Sequence, residues 1–88
     1  MLEKVIQSKI MKALTKQGWL VLRPVAVSKS GYPDLWALKS GRCVFIEVKQ
    51  PGQKPTPLQE LRHKELREAG FTVVVATSVN CIEKIPTG

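Results

Sequence analysis

Histidine occurs once in these 88 residues and cysteine twice. Cys43 and Cys81 show no C-x-x-C spacing. With His63 as the single imidazole, they exclude a zinc finger or ribbon. Cys43 opens an apolar run and reads as a small buried hydrophobe. Long apolar runs are missing too: no segment approaches the length of a membrane span. No charged-then-apolar leader precedes a cleavage site, so the expectation is a cytoplasmic chain without a membrane partner. Acids are scarce, seven Asp and Glu against fourteen Lys and Arg, for a net charge of +7. On so small a surface that excess favours a polyanion, nucleic acid ahead of an acidic membrane face. Apolar and aromatic content is ordinary, which excludes disorder. The length predicts one domain spanning 1–88, with no room for a second core. Burial is modest at this size, so stability rests on good packing or on association.

Leu2 to Gln17 has helical periodicity, with Leu2, Ile6, Ile10, Ala13 and Leu14 on one stripe and Gly18 as the stop. Trp19–Leu22 reads as a short strand ended by Arg23-Pro24, and Val25–Tyr32 as a mobile basic loop. Leu35–Leu38 and Cys43–Val48 are the next strands, joined by Lys39-Ser40-Gly41-Arg42 as an antiparallel hairpin. The second of them is apolar on both faces until Glu47, as a central strand would be. The Pro/Gly-rich stretch 50–57 leads to a helix capped by Thr56, with Pro57 first and Gly70 as the stop. Leu58, Leu61, Leu66 and Ala69 are expected to face inward. Arg62 falls close to the middle of that stripe, as a partner contact or a snorkelled side chain. Phe71–Ala76 is a β-branched strand, and Asn80-x-x-Glu83 offers a short capped turn. The order is α-β-β-β-α-β.

The chemistry concentrates between Gly31 and Lys49. Glu47 and Lys49 stand two apart on a strand, so both leave one face, and Asp34 reaches them from the neighbouring strand. Two carboxylates about 4 Å apart repel by roughly 4 kcal/mol at an effective dielectric of 20. Such a pair persists only if protonated, paired with a cation or bridged by a metal. Lys49 supplies one cation. A hard divalent ion such as Mg²⁺ would supply the rest, with the Val48 carbonyl as a further ligand. The ion would polarise a scissile phosphate and acidify a bound water, while Lys49 oriented that water and offset charge on the phosphorane. The bland alternative is a surface Glu–Lys pair beside a turn-forming Pro-Asp. Taken alone, Glu3 reads as a solvent-facing acid that complements the positive end of its helix.

Gly31-x-Pro33-Asp34-Leu35, then Glu47-Val48-Lys49, then a Gly/Pro loop leading to Pro57-x-Gln59, resembles the VRR-NUC branch of the PD-(D/E)XK nucleases. Glu3-x-x-x-Gln7 followed by Gly18-Trp19 matches the start of that domain, and the resemblance covers nearly the whole chain. It implies an α/β (α+β) restriction-endonuclease-like core, a central mixed sheet flanked by two helices. It further implies Asp34 and Glu47 as metal ligands beside the Val48 carbonyl, Lys49 as the catalytic lysine, Glu3 as the acid completing the cluster, and Gln59 as a site-facing polar residue. Tyr32 and Trp36 are bulkier than that pattern expects; Trp36 fits core packing, and Tyr32 either packs or stacks on bases. His63 is expected at the surface rather than as a general base.

The stand-alone members that this chain resembles are similar to homodimeric endonucleases acting on branched DNA such as four-way (Holliday) junctions, in bacteria or phage-infected cells. The resemblance therefore implies a Mg²⁺- or Mn²⁺-dependent, structure-selective endodeoxyribonuclease. A dimer would place two equivalent sites on a two-fold substrate. Lys29, Lys39, Arg42, Lys54, Arg62, Lys64 and Arg67 are the candidate phosphate contacts, which position DNA rather than specify its sequence. The alternative is a basic DNA-binding accessory module with a degenerate nuclease fold. A sequence-specific restriction-type enzyme is disfavoured, because so short a chain leaves little for base readout.

Overall fold

The structure is a computed structural model that describes residues 2–25 and 27–85. Helix α1 spans Glu3–Lys16 and buries Ile6, Ile10 and Leu14, three residues each one turn apart on a single stripe. Leu2, expected on that stripe, is the N-cap residue with extended backbone and lies exposed. An extended residue before the first turn points its side chain off the helical row. Gly18 takes a positive φ of 94° just after the helix, as its stop position requires.

Four strands follow: β1 (Leu20–Leu22), β2 (Leu35–Lys39), β3 (Arg42–Val48) and β4 (Thr72–Ala76), with helix α2 (Pro57–Glu68) between the last two. The sheet order is β1-β2-β3-β4. β1, β2 and β3 are antiparallel neighbours, and β4 lies parallel to β3. The sheet is therefore mixed, with the expected α-β-β-β-α-β order and β3 in an inner position. A parallel pair needs a crossover, and α2 supplies it. The β2–β3 ladder runs to Lys39↔Arg42, so only Ser40 and Gly41 form the turn. Their φ values of 53° and 75° are the pair of positive angles a type I′ turn requires. After β4 the chain closes with a 3₁₀ segment, Val79–Lys84, whose N-cap is Ser78 rather than Asn80. No helix among the described residues is long and apolar enough to cross a membrane.

The two sheet faces differ. One face carries Leu35, Ala37, Val44, Ile46, Val48 and Ala76 against α1, with Trp19, Ile82 and Ile85 completing the core. On the other face Trp36, Phe45 and Phe71 meet edge-on, with ring centroids 5.5 Å apart in both pairs. Register places Leu20, Leu22 and Leu38 on this second face as well. Leu20, Leu22 and Phe71 remain exposed there.

Helix α2 corrects the expected inward stripe. Leu58 and Leu61 are 40 % and 49 % exposed, Ala69 is exposed, and Leu66 is half-buried. The residue this helix buries is His63, 2 % exposed, which was expected at the surface. Gln59, Arg62, His63 and Leu66 form the row that faces the protein, at i, i+3, i+4 and i+7. The helix is thus turned by about one residue from its apolar stripe. The reason is that its polar side chains have partners underneath, at Glu47 and at the loop before β2.

Candidate active site

Asp34 stands immediately before β2, and Glu47 lies near the end of β3. The register Leu35↔Ile46 brings these two positions opposite one another one step further on. Asp34 Oδ2 accepts the Val48 N–H at 2.9 Å, which fixes the aspartate against the end of the neighbouring strand. Continuing that register places Val48 opposite Pro33. The proline nitrogen has no hydrogen to donate, so the ladder offers the Val48 carbonyl no donor at that step. Pro33 is buried, and its carbonyl accepts the Trp36 indole N–H at 3.3 Å. The Pro-Asp pair is therefore a strand terminus locked from both sides.

Glu47 is 1 % exposed. Its carboxyl is pushed up to about 8, first by burial, then by a hydrogen bond with Asp34 and by the Asp34 charge; Lys49 lowers it and Glu3 raises it. Burial and the neighbouring Asp34 both favour the protonated form of Glu47, and a cation at this place would favour the ionised one. The Lys49 N–H donates to the Ala76 carbonyl at 2.9 Å, so strand geometry continues past Glu47 and the lysine shares its face. Glu3, in the first turn of α1, is close enough for its charge to act on Glu47. Among the described residues no three His, Cys, Asp or Glu side chains gather tightly enough to hold an ion by themselves. The oxygen donors brought together are those of Asp34 and Glu47, with the Val48 carbonyl beside them. Two acids, a neighbouring carbonyl and an exclusively oxygen donor set fit a hard divalent cation that keeps several waters.

Gln59 does two things. Its Oε1 accepts the Thr56 N–H at 2.9 Å while Thr56 Oγ1 accepts the Gln59 N–H at 3.2 Å, a reciprocal capping box that starts α2. Its Nε2 lies 3.5 Å from Glu47 Oε2, the outer limit of a hydrogen bond. One turn later, His63 Nε2 is 3.1 Å from Glu47 Oε1. Burial holds the imidazole below its ordinary value, with Arg67 and Lys49 adding to that and Glu60 opposing it. Sequence reasoning missed this contact. The available signal was the spacing: His63 stands four residues after Gln59, on the same helical face.

The remaining candidates divide. Arg62 is tied inward: its Nε donates to the Ser30 carbonyl at 2.9 Å, its Nη1 pairs with Glu65 at 3.0 Å, and its guanidinium lies 5.2 Å from the Tyr32 ring centre. The Tyr32 hydroxyl also reaches Glu65, at 3.4 Å. Tyr32 therefore packs within a cluster that fastens the loop before Asp34 to α2. Arg67 donates to the Val73 carbonyl, and Lys39 donates to the Gln17 carbonyl while standing over the Trp19 ring on the α1 face. Lys29, Arg42, Lys54 and Lys64 are exposed.

A four-stranded mixed sheet flanked by two helices, with an acid ahead of one strand and Glu-x-Lys ending the next, is the restriction-endonuclease-like core of the PD-(D/E)XK class. Within that class the chain belongs to the VRR-NUC family, whose sequence model matches residues 1–80. It is 34 % identical over 85 residues to "Putative nuclease p44" of Acyrthosiphon pisum secondary endosymbiont phage 1, covering 96 % of this chain and 91 % of that protein. A solved structure described as "VRR_NUC domain" superposes with a TM-score of 0.84 at 32 % identity, over 94 % of this chain and 91 % of the other. A second, "VRR_NUC domain protein", shares the fold with a TM-score of 0.78 at 24 % identity, over 93 % and 82 %.

Proposed function

We propose that this chain is a Mg²⁺- or Mn²⁺-dependent DNA endonuclease, active as a homodimer on branched DNA such as four-way junctions. The observation that carries the catalytic part is the Asp34–Glu47 pair. It consists of two carboxyls brought together by the β2–β3 register, one of them buried and pushed toward its protonated form, with Lys49 on the same strand face. Burying such a pair is costly for a small fold unless a cation repays it.

Asp34, Glu47 and the Val48 carbonyl would hold the ion. Once bound, it supplies Lewis-acid polarisation of the scissile phosphate and a more acidic water. Lys49 orients the attacking water and offsets the charge that builds on the phosphorus oxygens. Gln59 steadies the Glu47 carboxylate, and Glu3 adds negative potential that favours a cation. The exposed Lys29, Arg42, Lys54 and Lys64 meet phosphates along the backbone, which positions DNA without reading its sequence. The homodimer is supported by the exposed apolar residues Leu20, Leu22 and Phe71 on the second sheet face.

The test incubates the purified protein with a four-way junction, a flap and a linear duplex, with and without Mn²⁺. Metal-dependent cutting of the junction ahead of the duplex is expected. Asp34→Ala and Lys49→Ala are expected to retain DNA binding in a gel-shift assay and to lose cleavage. Undiminished cutting by both variants would sink the site assignment, and metal-independent binding without cutting would instead indicate an accessory module.

A further inference from the structure

Helix α2 exposes Leu58 and Leu61 and buries the chain's single histidine. A core position that could hold a leucine holds an imidazole, whose burial is unfavourable unless its polar atoms are satisfied. The partner is Glu47, 3.1 Å from His63 Nε2. An ionised carboxylate only accepts hydrogen bonds, so toward that form Nε2 must carry the hydrogen and donate it. Gln59 approaches the other oxygen of the same carboxylate from one turn earlier on the same helix. The two donors thus grip Glu47 from one side, and their helix is fixed in phase by the capping box at Thr56.

We propose that His63 is a positioning residue for the metal-binding carboxylate: its Nε2–H holds Oε1 of Glu47 in the ionised form that a divalent cation takes. This rests on the metal-dependent reading of the site. It makes the α2 face a second layer behind the ligands rather than part of the apolar core. Partners of this kind around metal sites typically change metal affinity by about 10- to 100-fold when removed.

The experiment measures Mn²⁺ binding by isothermal titration calorimetry without DNA, alongside the metal-free Tm, for wild type, His63→Leu, His63→Gln and His63→Asn. His63→Leu is expected to keep or raise the metal-free Tm, because an apolar group replaces a buried polar one, yet to bind Mn²⁺ about tenfold or more weakly. A glutamine amide nitrogen falls near the place of Nε2, and that of asparagine near Nδ1. His63→Gln should therefore recover most of the affinity and His63→Asn should not. If His63→Leu does not fold, the Gln and Asn pair decides, and equal affinity in those two overturns the proposal. A folded His63→Leu that binds Mn²⁺ like wild type also overturns it and leaves the nuclease reading standing. Wild type that binds no Mn²⁺ removes both.

Discussion

Glu47 meets two opposing demands, deep burial and ionisation, and the metal-free protein resolves them by keeping a proton. That has a consequence for stability with a definite sign. In the unfolded chain this glutamate releases its proton near 4.5, and in the folded chain near 8. Its contribution is complete below 4.5 and is lost as pH rises to about 8. His63 behaves oppositely: its folded value lies below 6.5, so its contribution is complete above that and is lost as pH falls. Between 4.5 and 6.5 the two slopes oppose one another. From 6.5 to about 8 His63 no longer opposes Glu47, whose slope is up to ~1.4 kcal/mol per pH unit. Metal-free Tm is expected to fall across that upper interval, and Glu47→Gln to flatten the curve; parallel curves for the two proteins would contradict a Glu47 held in its protonated form. Gln59 gives a second separation at this scale. Gln59→Ala removes the side-chain half of the capping box, leaves the Thr56 cap in place, and should lower stability by ~1 kcal/mol in a urea titration. Gln59→Glu keeps an acceptor for the Thr56 N–H, so the helix should survive by circular dichroism. It loses the donor to Glu47 and adds a like charge, so cleavage should fall by about tenfold or more. That Asp34 lies beside Glu47, and Lys49 on the Glu47 face, was legible in the sequence from the hairpin and the two-residue period of a strand. His63 was not, since nothing in one helix says which of two competing faces its surroundings will accept.

At the scale of elements, the legible features were those set by local chemistry. These were the stop at Gly18, the Thr56 cap with Pro57, the β-branched run of β4 and a hairpin around Gly41, though the connection expected over 39–42 is two residues shorter because Lys39 and Arg42 pair. The miss on α2 was a periodicity reading overruled by tertiary partners. Local pattern and fold disagree there because polar side chains converge on Glu47, and such conflicts tend to mark sites. The loop before β2 shows a related constraint. Gly31 has φ of 90°, and a Cβ built there would stand 2.8 Å from Leu58 Cγ and 3.2 Å from Arg62 Cγ. Gly31→Ala should therefore cost about 1–3 kcal/mol through strain and displacement of the loop that carries Pro33 and Asp34. Equal chemical denaturation midpoints for this variant and wild type would show that the loop does not press on α2 as described.

Considered whole, the molecule has a well-filled side and an open one. The α1 face holds the core, while the aromatic face is covered by α2 only in part. A standard interface takes ~800 Å² from each partner, roughly a seventh of the 5591 Å² this chain exposes. The proposed homodimer is expected to elute at twice the chain mass by size-exclusion with light scattering. Leu20→Glu combined with Phe71→Glu is expected to give a folded monomer if this face carries the contact. Wild type at the mass of one chain would remove the dimer from the functional reading. The sequence foretold the basic excess and the fold order, but not this open face. Which apolar residues stay uncovered depends on how far α2 reaches across the sheet.

The Gln59 side chain begins α2 with one atom and touches Glu47 with another. Fraying of the first helical turn and loosening of the buried carboxylate are thus a single event. Local opening that exposes the Gln59 amide to hydrogen exchange also releases one hand from the acid below it. The lifetime of an intact site is then bounded by the lifetime of a helix terminus, ordinarily the part of a fold that opens most easily.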